Sequence, residues 1–207
     1  MDIDLTLILL AALVAGASPG PATLAIAGTA MSPGGGRRAG LALAAGITCG
    51  SLTWSVAAAF GLGAVMLANA WMFEVVRYVG AGYLMWLAFK SARSALSRRA
   101  LATTALSGTA RGLFFKGLAL HLTNPKAVLF FGSLYAIGIP PGAAPADLAI
   151  VIAAVGVQSA LTFHGYALLF SVPAMTRTYV RLRRPFEAVF AAAFGAAGVK
   201  ILTARLT

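Results

Sequence analysis

Residues 18–21 read Ser-Pro-Gly-Pro and residues 123–126 read Thr-Asn-Pro-Lys, and each motif interrupts a long apolar run. A proline inside a helix lacks the N–H donor and clashes with the carbonyl four residues earlier. At Pro125 that carbonyl belongs to His121. In hydrocarbon such a carbonyl needs another partner, so broken helices occur where their backbone is buried in protein or lines a cavity. The two motifs therefore predict two helices that are interrupted within a membrane.

The chain that surrounds these two motifs is strongly apolar. Of its 207 residues, 60% are hydrophobic and 10% are charged, and the mean hydropathy is +0.88. About a quarter of the residues of a soluble domain are normally charged, so this chain cannot cover a water-facing surface. The composition predicts an all-α integral membrane protein, with residues 1–207 forming one transmembrane domain. Its single cysteine, Cys49, excludes an internal disulfide.

Charged or Gly/Pro-rich stretches separate six apolar segments, which predict about six transmembrane helices. A first repeat of three helices covers about residues 1–90, a basic connection covers 90–111, and a second repeat covers about 112–207. Each half has an odd number of crossings, so the halves are predicted to be inverted. Proline-broken helices at corresponding positions of inverted repeats point to a binding site near the midplane of a transporter. The six segments are 5–31, 39–68, 71–89, 112–137, 148–172 and 186–206.

Basic residues are concentrated on alternate predicted loops. Of the 16 Lys and Arg residues, 12 are predicted on one side of the membrane: 11 fall between helices 1 and 2, 3 and 4, or 5 and 6, and Lys116 lies at the mouth of helix 4. Because basic residues gather in cytoplasmic loops, both termini are predicted to be periplasmic. The net charge of +11 is therefore interpreted as a sign of topology and not of nucleic-acid binding. The twelve are Arg37, Arg38, Lys90, Arg93, Arg98, Arg99, Arg111, Lys116, Arg177, Arg181, Arg183 and Arg184.

Four motifs follow one another along about two-thirds of the chain: residues 18–22 (SPGPA), 36–46 (GRRAGLALAAG), 80–87 (GAGYLMWL) and 124–131 (NPKAVLFF). In their order and spacing they resemble the LysE/RhtB-type amino-acid exporter family. The resemblance implies a secondary active exporter of an amino acid or similar small zwitterionic metabolite. It further implies a location in the bacterial inner membrane and coupling to protons by antiport.

Two stretches depart from the family pattern. Residues 134–141 read LYAIGIPP where such proteins often have a Leu-Pro-X-Phe-type turn. Residues 48–51 read TCGS, without the acidic residue that helix 2 often carries. No acidic side chain is evident at mid-depth, so a partner for a basic substrate side chain is missing. We therefore expect a neutral or small hydrophilic amino acid as the substrate.

Lys126 lies ten residues beyond Lys116, about 15 Å at the rise of a helix, and is predicted to sit at mid-depth. An ammonium at the bilayer centre costs at least about 2.5–3.5 kcal/mol, so buried lysines usually face a cavity or a partner. The functional hypothesis is that Lys126 binds a substrate carboxylate or exchanges protons. The alternative is a side chain that snorkels to the membrane interface.

His121 and His164 are the other candidates for proton coupling. A histidine can change its charge near neutral pH and serve a proton path. The alternative is a neutral imidazole that forms hydrogen bonds across helices. With two histidines and no nearby carboxylate, we expect no metal site.

The two breaks supply the polar groups that a zwitterion needs. The N-termini of half-helices offer N–H groups at the positive end of the helix dipole, which suit a carboxylate. Unwound carbonyls can accept from an ammonium. The alternative is a purely structural kink. The predicted substrate-binding residues are Ser18, Pro19, Gly20, Pro21, Thr123, Asn124, Pro125 and Lys126.

Other classes of function are kept as alternatives, namely a membrane-embedded channel or a redox or enzyme protein without amino-acid transport. An enzyme would need paired cysteines, a metal-ligating cluster or a Ser/His/acid set, and none is visible in the sequence. We expect no enzymatic activity and no cofactor. The expected partners are the amino-acid-like substrate, protons and the lipid bilayer, but no nucleic acid. A homo-oligomer is left open.

Overall fold

The computed structural model describes residues 3–68, 70–97, 103–140 and 142–203, and in these ranges all regular secondary structure is helical. The prediction of an all-α protein is confirmed for this part of the chain. In chain order the helices are α1 (Leu5–Ala17), α2 (Pro21–Met31), α3 (Gly36–Ala68), α4 (Ala70–Leu96), α5 (Ala110–Leu122), α6 (Pro125–Gly138), α7 (Pro145–Phe170) and α8 (Pro173–Thr203).

The first and fourth predicted helices are each divided into two. α1 and α2 meet at an angle of 52°, and α5 and α6 are separated by Thr123 and Asn124. Pro21 and Pro125 are the first residues of α2 and α6. Proline is favoured at this position because the N–H that it lacks would have no partner within the helix, and its fixed φ suits the first turn. The prolines therefore begin new helices, as well as excluding continuation of the old ones.

Several described helices suit a membrane by length and composition. Residues Gly36–Gly61 and Pro145–Phe170 are each long and apolar enough to cross a bilayer, and the bent pair α1–α2 together would be a third such span. These helices agree with an integral membrane protein. Six crossings and two inverted repeats remain predictions.

Two helices lie in such close contact that only glycine fits between them. A Cβ atom on Gly46 of α3 would collide with the backbone of Phe114, and one on Gly117 of α5 would collide with the carbonyl of Leu43. Small residues allow this approach in membrane proteins, where packing rather than water drives association. α3 also packs against α7, while α4 packs mainly against α8.

The sequence prediction is wrong about the start of the last helix. Residues 177–184 were assigned to a basic loop, but α8 already begins at Pro173 and carries its four arginines in its first turns. Arg177, Arg181 and Arg184 are exposed, so a helix can hold these charges without burying them. The basic connection is also shorter than the predicted 90–111, because α4 continues to Leu96.

The end of this connection lies against α2. The N–H of Leu106 donates to Thr29 Oγ1 at 3.0 Å, and the N–H of Thr104 donates to the carbonyl of Leu24 at 3.4 Å. A Cβ atom on Gly28 would lie 2.5 Å from the carbonyl carbon of Thr104. Arg98 and Arg99 lie outside the described residues. The described part of the connection is thus packed onto the helices and does not project from them.

Candidate functional site

The first break, between α1 and α2, depends on contacts from other parts of the chain. Pro21 cannot donate to the carbonyl of Ala17, and the hydroxyl of Tyr166 on α7 donates to it instead at 2.6 Å. Gly20 is the N-cap of α2 and has no side chain that could accept from the first turn. Because the first N–H groups of a helix have no partner within it, this N-terminus can donate to a ligand.

The second break, between α5 and α6, is closed by local hydrogen bonds. Asn124 Oδ1 accepts from the N–H of Lys126 at 3.0 Å and so caps α6. Because Pro125 cannot donate to the carbonyl of His121, the sequence predicted that this carbonyl needs another partner. The N–H of Asn124 donates to that carbonyl at 3.2 Å, because the chain tightens at the end of α5.

Lys126 joins the two breaks. Its Nζ donates to the carbonyl of Ser18 at 3.0 Å and to the hydroxyl of the same residue. Its side chain lies against Gly20, where a Cβ atom would be 3.3 Å from Lys126 Cδ and Nζ. The half-buried ammonium therefore contacts the first break, which lies 108 residues away in sequence.

This junction lies in the walls of two cavities. The large cavity, of about 770 Å³, extends from the breaks towards α4 and α8. The small cavity, of about 50 Å³, extends towards α3 and α7. Seven of the eight predicted substrate-binding residues line the large cavity: Ser18, Pro19, Gly20, Pro21, Asn124, Pro125 and Lys126. Ser18, Gly20, Asn124 and Lys126 also line the small one, so they lie between the two cavities.

His121 contributes its ring to the wall of the small cavity. It is 5% exposed, and neither ring nitrogen has a hydrogen-bond partner among the described residues. The ring packs edge-on against Phe163, with centroids 5.7 Å apart. Ser51 and Ser159, which also line this cavity, share a hydrogen bond of 2.8 Å between α3 and α7. A buried imidazole without a partner here could exchange a proton with water in the cavity.

Two predicted residues lie apart from these cavities. Thr123 is exposed, and its hydroxyl donates to the carbonyl of Ala119 at 2.8 Å. His164 is half-buried, and its Nδ1 lies 2.9 Å from the carbonyl of Ala160 on its own helix. Neither residue lines the large or the small cavity.

Sequence reasoning missed Glu187, a buried carboxylate in the wall of the large cavity. Ser94 donates its hydroxyl to Glu187 Oε1 at 2.8 Å, and Arg183 Nη2 donates to Ser94 Oγ at 3.1 Å. The signal was a single acidic residue among apolar residues two positions after Pro185. No acidic side chain was evident at mid-depth from the sequence, whereas the structure brings Glu187 into the wall of the cavity that Lys126 also lines.

Comparison with known proteins gives a family match over nearly the whole chain. The model of the LysE type translocator family matches residues 13–205. A threonine efflux protein of Escherichia coli (strain K12) is 30% identical over 197 residues, covering 93% of this chain and 94% of that protein. A leucine efflux protein of Klebsiella pneumoniae subsp. pneumoniae is 31% identical over 166 residues, covering 80% and 77%. No solved structure matches the chain.

Proposed function

Since the chain belongs to the LysE type translocator family, we propose that it exports an amino acid across the bacterial inner membrane. The observation that carries this proposal is the contact between Lys126 and Ser18, which joins two broken helices in the wall of a large cavity. Relatives named as threonine and leucine efflux proteins favour a neutral amino acid as the substrate. Both relatives are named as efflux proteins and not as enzymes.

The breaks suit the carboxylate end of such a substrate. Lys126 offers an ammonium group, and the N-terminus of α2 after Gly20 offers N–H groups without a side-chain cap. A carboxylate entering here would replace Ser18 as the partner of Lys126. The large cavity, at about 770 Å³, falls in the usual range of about 300–1,000 Å³ for small-molecule pockets.

Proton coupling would use the same region. Lys126 lies between the cavities, and His121 faces the small one with both ring nitrogens unpartnered among the described residues. A cavity of about 50 Å³ has room for a few water molecules, which could connect these two groups. His164 remains a weaker candidate because it contacts its own helix and neither cavity. Export by antiport would exchange a proton for the substrate at Lys126.

The transport cycle we propose opens and closes the junction between the breaks. With Lys126 bound to Ser18, the large and small cavities are separated at this point. Release of Ser18 would join them and let a substrate pass from one to the other. Both broken helices contact the middle long helix of the other half, α1 with α7 and α5 with α3. This reciprocal packing between the two halves supports two inverted repeats with about six crossings.

Counterflow tests the proposed function. The purified full chain would be placed in proteoliposomes preloaded with unlabelled L-threonine or L-leucine, and entry of the same labelled amino acid would be followed. We expect transient accumulation above equilibrium for at least one amino acid of a neutral panel. A channel would only equilibrate the label, and an enzyme would not exchange it. Absence of exchange with every amino acid of the panel would refute the proposal.

Topology can be tested separately. With Cys49 replaced by Ser, single cysteines at positions 2, 102 and 144 would be exposed to an impermeant thiol reagent in intact cells. Since the basic residues are expected to be cytoplasmic, we expect labelling at positions 2 and 144 but not at 102. The reverse pattern would overturn the proposed periplasmic location of both termini.

A further inference from the structure

The large cavity has a second polar group of residues, formed by α4 and α8. Lys90, Ser94, Arg183 and Glu187 all line it, as do Ser18 and Lys126 at the breaks. Glu187 is 4% exposed, although it is an acidic residue in a largely apolar chain. Carboxylates buried in membrane proteins usually face a cavity or a partner and mark pathways of substrates or ions.

The large cavity is lined by more basic than acidic side chains, so few positions in it can attract a cation. Three basic side chains line the cavity, Lys90, Lys126 and Arg183, and Glu187 is the one acidic side chain that lines it among the described residues. A positively charged group inside the cavity would be repelled by these basic side chains, and among the charged side chains described in the wall only Glu187 would attract it. An α-amino acid carries such a group beside its carboxylate.

Hydrogen bonds hold the carboxylate in position. Ser94 donates to Glu187 Oε1 at 2.8 Å and itself accepts from Arg183 Nη2 at 3.1 Å. Neither of these two hydrogen bonds uses Glu187 Oε2. The amino group of Lys90 lies 4.9 Å from the centroid of the Trp86 ring, so it has an aromatic partner of its own. One carboxylate oxygen is thus oriented by α4, and the other remains able to accept.

We infer that Glu187, oriented by Ser94, binds the α-ammonium of the substrate while Lys126 binds its carboxylate. This inference rests on the proposed function and assigns the substrate class of that site. The substrate has to carry both charges, so the site selects zwitterionic amino acids over hydroxy acids and simple amines. An analogue that lacks one charged group leaves the protein side chain for that group without a partner. The site therefore selects strongly against such analogues.

The test compares three ligands of the purified full chain in detergent. The first ligand is L-threonine. The second is its hydroxy-acid analogue, in which a hydroxyl replaces the α-ammonium, and the third is its amine analogue, which lacks the carboxylate. L-leucine and its two corresponding analogues form a second series. Apparent dissociation constants come from the ligand-dependent rise in Tm. For the wild-type chain we expect the amino acid to bind at least tenfold more tightly than either analogue.

Two variants should change this preference in opposite ways. Glu187→Gln should weaken binding of the amino acid and the amine at least tenfold, and change binding of the hydroxy acid less than twofold. Lys126→Met should weaken binding of the amino acid and the hydroxy acid, and spare the amine. Glu74→Gln removes an exposed carboxylate of α4 that does not line the cavity, and should bind all three ligands like the wild type.

A purely structural role for Glu187 predicts equal weakening of all three ligands, and that result would overturn the inference. An unchanged preference in Glu187→Gln would overturn it too. If Glu187→Gln does not fold, Ser94→Ala serves in its place, with a two- to fivefold loss expected for the amino acid and the amine only. Counterflow by the wild type together with an unaltered preference in these variants would refute this inference alone. Absence of amino-acid binding and exchange by the wild type would refute the proposed function itself.

Discussion

The two breaks arise from the same local chemistry but are completed in different ways. At the second break Asn124 caps α6, and its own N–H closes the end of α5. At the first break the carbonyl of Ala17 is paired by Tyr166 of α7, and the groups of Ser18 are paired by Lys126. The second break therefore satisfies its own backbone, whereas the first requires partners from elsewhere in the chain.

This difference suggests which half of the site moves. A break that is capped locally keeps its shape when its neighbours shift. A break that depends on distant donors can exchange them for a ligand or for water. We therefore expect the first break to be the adaptable half of the site and the second to be the rigid half that carries the cation.

The largest effect is expected at Lys126, the residue that links the two breaks. Lys126→Met keeps much of the length and removes the charge, so counterflow should fall about 100-fold, equivalent to about 2.7 kcal/mol. Lys126→Arg distinguishes two roles. If Lys126 only binds the carboxylate, the arginine variant should lose affinity but keep its dependence on a pH gradient. If Lys126 exchanges protons, that dependence should vanish, since a guanidinium does not deprotonate in proteins. Wild-type rates for Lys126→Met would remove this residue from the mechanism.

The next largest effect is expected on stability, from substitutions that test how closely α5 and α1, the half-helices before the two breaks, pack against their neighbours. Gly117→Ala would place a methyl group against the carbonyl of Leu43, so we expect a loss of about 1–3 kcal/mol in stability. At Gly16 of α1 the new methyl group would meet Thr162 Cγ2 at an ordinary distance of 3.5 Å. Gly16→Ala should therefore change Tm little, or raise it. Equal losses of Tm in the two variants would contradict the assignment of α1 as the more loosely held half-helix.

A smaller effect is expected from the hydroxyl that completes the first break. Tyr166→Phe leaves the Ala17 carbonyl without its described donor, which should cost about 1–2 kcal/mol. The control is Tyr83→Phe, since the buried hydroxyl of Tyr83 has no partner among the described residues and its loss should be neutral. Thermal unfolding of both variants without substrate provides the comparison. A Tyr166→Phe variant as stable as the control would show that water or a neighbouring group replaces the donor.

The smallest effects are expected at the second break, because its hydrogen bonds are local. Asn124→Ala removes the cap of α6 and should cost about 1 kcal/mol, whereas Pro125→Ala keeps the cap and should change stability less. The double variant allows α5 and α6 to become one helix, so its transport should fall more than that of either single variant. Counterflow measures the effect of each variant on transport, and Tm measures its effect on stability. Wild-type transport in the double variant would make this break merely structural.

Local chemistry explains what the sequence predicted correctly. The positions of both breaks follow from proline, which acts on its own backbone and needs no knowledge of the fold. The high cost of a buried ammonium predicted that Lys126 faces a cavity or a partner, and the structure places it against Ser18 in the wall of both cavities. Its role in binding stays a prediction. In contrast, the partner of the His121 carbonyl was not predicted, because the tightening of the chain at Asn124 depends on exact backbone angles.

Tertiary packing explains what the sequence did not predict. His121 and His164 look alike in sequence, yet one faces a cavity and the other contacts its own helix. Glu187 was overlooked because its burial depends on how α8 packs against α4. The arginines at the start of α8 suggested a loop, but Arg177, Arg181 and Arg184 lie exposed on a helix, and Arg183 lines the large cavity. Sequence patterns thus located the broken helices, while the distribution of polar groups around the cavity required the structure.

The connection between the two predicted repeats has a mechanical consequence. Its last residues are hydrogen-bonded to α2 at Leu24 and Thr29, and the backbone of Thr104 touches Gly28. Thr104 also lines the large cavity. A connection of this kind limits how far α5 can move relative to α2, because its end is bound to the half-helix that follows the first break. Since only residues 107–109 separate Leu106 from the start of α5, we expect a displacement of α5 to move α2 as well.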